Sequence, residues 1–208
     1  MRKIVVEFIG TFFLMLSIGL AIQQGYAEWT PIIVGATLTA LIYAGGPISG
    51  AHYNPIISVA FWLRGDFLLK RVFPYALCQV AAAVVASFVV INWFDQPRVI
   101  ISPIEVLLFP VLLAELLGTF VLAYVILGVA SNPMVKNNSY YGLAIGLTVV
   151  GAAYLFGKIS GAFLNPAVSI GACVMGLIEP RELWIYLVGQ AIGGGVATIV
   201  FNYVVPKN

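Results

Sequence analysis

Two short words in this apolar chain join a run of small residues to Asn-Pro. They are Ser49-Gly50-Ala51-His52-Tyr53-Asn54-Pro55-Ile56 and Ser160-Gly161-Ala162-Phe163-Leu164-Asn165-Pro166-Ala167. Asn is a strong helix N-cap, and Pro suits the first helical position because its missing N–H would be unpaired there. Each word therefore reads as a loop of small residues leading into a helix. Asn54 and Asn165 would cap with the carboxamide oxygen and leave NH₂ donors for the lumen that the loops line. Gly50, Ala51, His52 and Tyr53 in the first loop, and Gly161, Phe163 and Leu164 in the second, would expose backbone carbonyls as acceptors. That chemistry is hydrogen-bond exchange with a passing molecule. Bond making would need a nucleophile with its base, or metal ligands. The single histidine, His52, has no acidic cluster beside it, and Cys78 and Cys173 sit alone in apolar runs. An enzyme, a metal site, a cofactor and a disulfide framework are all unsupported.

The elements that position these words are set by composition. Of 208 residues, 62% are hydrophobic and 9% charged, with a mean hydropathy of +1.04. Soluble domains carry roughly 25% charged residues, so the chain reads as an integral membrane protein whose surroundings are the lipid bilayer. Net charge is +2 with no basic block, which gives nucleic acid no footing as a partner.

Six apolar runs are long enough to cross: about 4–24, 31–45, 67–91, 104–130, 140–156 and 183–205. The first contains Glu7 and has a counterpart deep in the chain, so it reads as a retained span and not a cleaved leader. The runs that follow the two words, 54–63 and 165–176, are too short. Ten residues of helix reach ~15 Å, about half the hydrocarbon thickness. These must enter and turn back.

The two halves repeat. Gly35, Tyr43, Ser49, Asn54 and Gln79 recur 111 positions later as Gly146, Tyr154, Ser160, Asn165 and Gln190. Glu7-Phe-Ile-Gly-Thr-Phe recurs 108 positions later as Glu115-Leu-Leu-Gly-Thr-Phe. Three spans per half make the second half enter from the opposite side, which puts the two words at the midplane of an inverted repeat. The expected fold is an all-α membrane domain spanning 1–208. It has six transmembrane helices and two re-entrant half-helices in a 3+3 inverted repeat, with halves of about 1–103 and 104–208. An N-terminus in the cytoplasm places Arg2, Lys3, Arg64, Lys70, Arg71, Lys136 and Lys207 inside, seven of the ten cationic side chains. That bias follows the positive-inside rule and puts both termini in the cytoplasm, in a multi-pass protein of the cell membrane.

The paired Asn-Pro words, the duplicated Glu7 and Glu115 and the 3+3 layout together resemble the aquaporin and glycerol-facilitator family of channels. The resemblance covers almost the whole chain. It implies passive permeation of water or small neutral solutes, no cofactor, and assembly as a homotetramer with one pore per protomer. It makes Asn54 and Asn165 the pore centre, Glu7 and Glu115 the anchors of the two loops, and His52 a neighbour of the cytoplasmic half of the pore. It also implies a constriction on the outer side of the centre, at Val34, Ala153, Ala162 and Val168.

That constriction departs from the family pattern. Water-selective members carry an aromatic residue, a histidine, a small residue and an arginine there, whereas Val168 stands in the place of the arginine. Ile56 stands where alanine is usual. Removing a guanidinium deletes five donors and a fixed charge. The expectation is a wide apolar filter that admits glycerol, urea or neutral metalloid acids besides water. Tyr43, Tyr154 and Phe163 are the aromatic side chains placed to narrow it. Ser169, where glycerol-type members usually carry an acid, and the short loops point back towards water. A secondary transporter of inverted-repeat architecture is the alternative. Beyond Glu7 and Glu115, however, no span offers a coupling carboxylate.

Overall fold

The computed structural model describes residues 1–26, 28–94 and 107–207. The loop read between the third and fourth spans, with Asp95, Pro97 and Arg98, and the start of the fourth span lie outside the described residues. Eight α-helices follow in order: α1 (Arg2–Gln23), α2 (Thr30–Ser49), α3 (Pro55–Arg64), α4 (Leu69–Trp93), α5 (Leu108–Ala130), α6 (Tyr141–Ser160), α7 (Pro166–Val174) and α8 (Leu183–Val204). A single 3₁₀ turn, Pro133–Val135, sits between α5 and α6. Among the described residues six helices have the length and hydropathy to cross a membrane. At 20–25 residues each spans roughly 30–37 Å. Their outer surfaces carry Phe73, Phe109, Leu155 and Ile199, all more than two-thirds exposed, which suits a surface solvated by lipid. With α3 at ten residues and α7 at nine, neither can cross.

Two boundaries differ from the sequence reading. Gly45-Gly46-Pro47 suggests that the second span stops near residue 45, yet α2 continues through Pro47 to Ser49. Proline costs a helix one backbone donor, and in the last turn that loss is small. The αL residue Gly50 ends the helix, donating its N–H to the Gly46 carbonyl at 3.0 Å. Likewise α6 runs on to Ser160, and Gly161 closes it with an N–H to the Gly157 carbonyl. Matching helix ends bring both loops in at equivalent depth.

The packing follows the repeat. In the first half α1 lies against α2 and α4, and in the second α5 lies against α6 and α8. The halves are joined by α2 against α6 and by the short helices, since α3 packs on α8 and α7 on α4. Each half thus lends its short helix to the other. The α2–α6 crossing is at Gly35 and Gly146, the repeat-related pair. A Cβ on Gly35 would stand 2.7 Å from the Gly146 carbonyl oxygen, and one on Gly146 2.6 Å from the Gly35 oxygen. Only glycine at both positions lets these backbones meet. Transmembrane helices gain little from hydrophobic burial against one another, so close packing at small residues holds them together.

Gly146→Val should therefore cost about 1–3 kcal/mol through overpacking and lower the thermal unfolding midpoint in detergent. Gly151→Ala, on the same helix with open space around it, should be neutral or slightly stabilising. Equal losses for both variants would count against the crossing described here.

Candidate functional site

The two loops descend from opposite ends of the bundle and meet. Asn54 is in extended conformation (φ −154°, ψ 123°), and its Oδ1 accepts the Ile56 N–H at 2.9 Å. Asn165 does the same (φ −155°, ψ 117°), accepting the Ala167 N–H at 3.0 Å. Each carboxamide also reaches across the midplane. Asn54 Nδ2 donates to the Leu164 carbonyl at 2.9 Å, and Asn165 Nδ2 donates to the Tyr53 carbonyl at 2.8 Å. Sequence reasoning assigns both N–H groups of each Asn to the lumen. The structure commits one of them to the opposite loop, so one per Asn remains.

The loop backbones are bent in a way that few residues tolerate. Ala51, Tyr53, Ala162 and Leu164 all have φ between 48° and 54°, the left-handed region that costs a non-glycine residue about 1–3 kcal/mol. Two buried carboxylates hold this shape. Glu7 accepts the His52 N–H at 3.0 Å, the Tyr53 N–H at 2.7 Å and Gln79 Nε2 at 2.8 Å. Glu115 accepts the Phe163 N–H at 3.0 Å, the Leu164 N–H at 2.8 Å, Gln190 Nε2 at 2.7 Å and the Ser160 hydroxyl at 2.7 Å. With N–H groups occupied on the carboxylate side, the carbonyls of Gly50, Ala51 and His52 accept no hydrogen bond among the described residues. They are free to serve the lumen. Just beyond the two carboxylates, Gly10 and Gly118 give the loops room, because a Cβ there would overlap the side chains of Tyr53 and Leu164.

A cavity of about 390 Å³ runs along both loops, volume for on the order of ten waters. Its walls are aliphatic, with Leu14, Ile18, Leu38, Ile42, Leu122 and Ile126 among them. Gly50, Ala51, His52, Tyr53 and Asn54 line it on one side of the centre, and Ala162, Phe163, Leu164 and Asn165 on the other. Among the described lining residues there is no Asp, Glu, Lys or Arg.

Three of the four positions assigned to the constriction, Val34, Ala162 and Val168, line this cavity together. Ala153 does not. It is half-buried on α6, one turn past Val149, where the cavity wall on α6 ends. Gly161 is also absent from the wall, although Gly50, which closes α2 in the same way, lines it. Of the three aromatic side chains placed to narrow the lumen, Phe163 lines it and packs on Tyr186. Tyr43 is turned away and donates to the Ser139 carbonyl, and Tyr154 donates to the Glu28 carbonyl. His52 is 7% exposed, stacked on Phe61 with centroids 4.8 Å apart, and its Nδ1 lies 3.0 Å from Ser58 Oγ. Glu7 and Glu115, both fully buried, stand behind the loops and not in the wall.

Several contributors carry no role in the sequence reading. Gln79 and Gln190 bridge each carboxylate to a serine of the short helix, Ser58 at 3.4 Å and Ser169 at 2.8 Å. Their shared offset of 111 is the signal that could have found them. Ile56, unusual in its motif, packs against Gly194, where a Cβ would overlap its Cγ2. The larger side chain on α3 is thus matched by a smaller one on α8. Asn137, Asn138 and Tyr141 also line the cavity. Nothing local in a loop of polar residues announces that position.

Residues 1–201 match the family model described as Major intrinsic protein. Aquaporin AqpM of Methanothermobacter thermautotrophicus is 30% identical, over 97% of this chain and 96% of that one. A probable NIP-type aquaporin of Nicotiana alata is 32% identical, over 98% of this chain and 78% of its own. The X-ray structure of the aquaglyceroporin from Plasmodium falciparum superposes with a TM-score of 0.85 at 23% identity, covering 99% of this chain and 96% of that one. That last likeness concerns the fold, which is the expected six-span arrangement with two half-helices.

The Ile56–Gly194 contact sets a double-mutant test. Gly194→Ala alone should cost about 1–3 kcal/mol by overpacking, and Ile56→Ala alone about 2–4 kcal/mol by leaving a cavity. Together they should recover at least about 1 kcal/mol of the summed loss. Strict additivity in thermal unfolding would show that the two side chains do not compensate one another. Glu115→Ala should be worse than any of these for activity. It strands the Phe163 and Leu164 N–H groups at about 1–3 kcal/mol each, and vesicle permeability measured on the folded fraction should fall at least tenfold.

Proposed function

The chain belongs to the major intrinsic protein family of membrane channels, and on that premise we propose that it passes glycerol- or urea-sized neutral solutes together with water, downhill and without a cofactor. The observation that carries this reading is the cavity itself. Val34, Ala162 and Val168 line it together, and no Asp, Glu, Lys or Arg is found among its described lining residues. Aliphatic walls facing a row of loop carbonyls suit a solute with hydroxyl or amide groups on one side and carbon on the other. They suit an ion poorly, since a bare charge in such surroundings is costly. Neutral hydroxylated metalloid acids belong to the same chemical class.

The midplane favours a channel over a transporter. Alternating access needs the repeats to rock against one another around the site. Here Asn54 and Asn165 tie the two loops to each other at the point where they would have to separate. The cytoplasmic placement of both termini rests on the distribution of Lys and Arg, with Lys207 held to Asp66 at 2.8 Å beside the end of α3. Assembly as a homotetramer rests on family membership, each protomer having its own lumen.

Stopped-flow light scattering of vesicles containing the protein should show glycerol and urea entering well above empty vesicles, with water alongside. Water flux with no larger solute would refute the wide filter. Val168→Arg should reduce glycerol and urea flux at least tenfold and water flux by less. An equal effect on both would mean that residue 168 does not form the selective passage.

A further inference from the structure

Four carboxamides line the cavity, and they stand at two stations. Asn54 and Asn165 are at the centre, while Asn137 and Asn138 stand at the end where α2 finishes, with Gly46, Pro47, Ala130 and Tyr141. Between the stations the side chains Ile42, Ile57, Ile126, Val129 and Ile145 offer no hydrogen bond, and the polar side chain beside them is His52 of the first loop. At the other end Val34, Ala162 and Val168 offer none either. A solute entering from the cytoplasm therefore meets the carboxamides of Asn137 and Asn138 first, before His52 and the aliphatic wall.

The loop carrying them is pinned. Asn138 Nδ2 donates to the Val129 carbonyl at 2.7 Å and to the Val135 carbonyl at 2.9 Å, tying the loop to the end of α5. Both its N–H groups are thereby used, and its Oδ1 has no partner among the described residues. Tyr43 Oη donates to the Ser139 carbonyl at 2.9 Å and accepts the Leu143 N–H at 3.2 Å. At the start of the loop, Ser131 accepts from Arg64 Nε at 3.3 Å and donates to Asp66. Asn137 itself is in the left-handed region, φ 65°, and its carboxamide is engaged by no group among the described residues.

We propose that Asn137 is a specificity-determining residue at the cytoplasmic end of the lumen, exchanging hydrogen bonds with small neutral solutes as they shed water. This rests on the channel reading above and deepens it. The apolar outer end discriminates by size. The inner end then discriminates by hydrogen-bonding capacity, and does so before the solute enters walls where unmade hydrogen bonds are costly. A solute with several polar groups has more to gain at that station than water does.

Asn is also a common left-handed turn residue, and the test separates the two roles. Asn137→Gly keeps the backbone conformation and removes the carboxamide. In vesicles it should lower urea and glycerol permeability about two- to tenfold, the loss of one neutral hydrogen bond, while water permeability changes by less than twofold. Asn137→Asp, similar in size and in tolerance of the turn, should also change the ratio of solute to water flux because it exchanges donors for a charge. Wild-type ratios in both variants would reduce Asn137 to a turn former and overturn the proposal alone. A wild-type protein that passes water only, or nothing, would overturn both this proposal and the wide-filter reading.

Discussion

The structure depends on the reciprocal pair of hydrogen bonds at its centre, from Asn54 to the Leu164 carbonyl and from Asn165 to the Tyr53 carbonyl. Neither half can make its own. Each needs the opposite loop in place, and that loop keeps its shape only while Glu7 or Glu115 holds its N–H groups. The carboxylates in turn are satisfied by Gln79 and Gln190 from the last span of each half. Four left-handed non-glycine residues are held in strain by this chain of contacts. The strain is local, and it leaves loop carbonyls unpaired along a lumen. Irregular backbone at membrane depth is tolerated where it is covered by protein or lines a watery cavity, and here both conditions apply to different edges of one loop.

Where the repeat breaks is as informative as where it holds. Val168 looks anomalous against the family pattern but matches its own counterpart, Ile57, which lines the other side of the centre. The lumen thus carries a branched aliphatic side chain about one turn into each short helix. His52 and Phe163 are counterparts that differ. In the first half the imidazole lies among Phe61, Phe67 and Tyr75, whereas in the second Phe163 meets Tyr186. Tyr75 donates to the Ser49 carbonyl, but the buried hydroxyl of Tyr186 has no partner among the described residues. Ile56 and Ala167 differ as well, and Gly194 absorbs the difference.

The architecture was readable in the sequence because the bilayer leaves few options. Run length separates crossing helices from re-entrant ones, and a constant offset exposes the duplication. Glu7 and Glu115 were readable because a carboxylate inside a span needs a partner, and the words ending in Asn-Pro supplied one. Selectivity was harder to read. Leu14, Ile18, Leu122 and Ile126 line the lumen, but in the sequence they look the same as Phe73 or Leu155, which face outward. Ala153 was placed by counting from a motif, and the last residue of α6 in the cavity wall is Val149, one turn before it. Asn137 became part of the lumen only through the hydrogen bonds that fold its loop over the end of α5. Pro47 misled for a simpler reason, since a proline in a final turn removes little.

The apolar filter raises the question of what keeps cations out once an arginine is no longer there. The centre answers it. The N-termini of α3 and α7 meet at the two Asn residues, each carrying roughly half a positive charge, and one carboxamide N–H on each side adds a donor. A cation reaching this point meets positive ends from both directions and an aliphatic wall elsewhere. The carboxylates that would relieve it stand behind the loops, with their oxygens committed to backbone N–H groups. They serve the scaffold and are set behind the peptide groups they organise. The same two Asn residues that join the loops thus set the electrostatics expected at the centre of the pore.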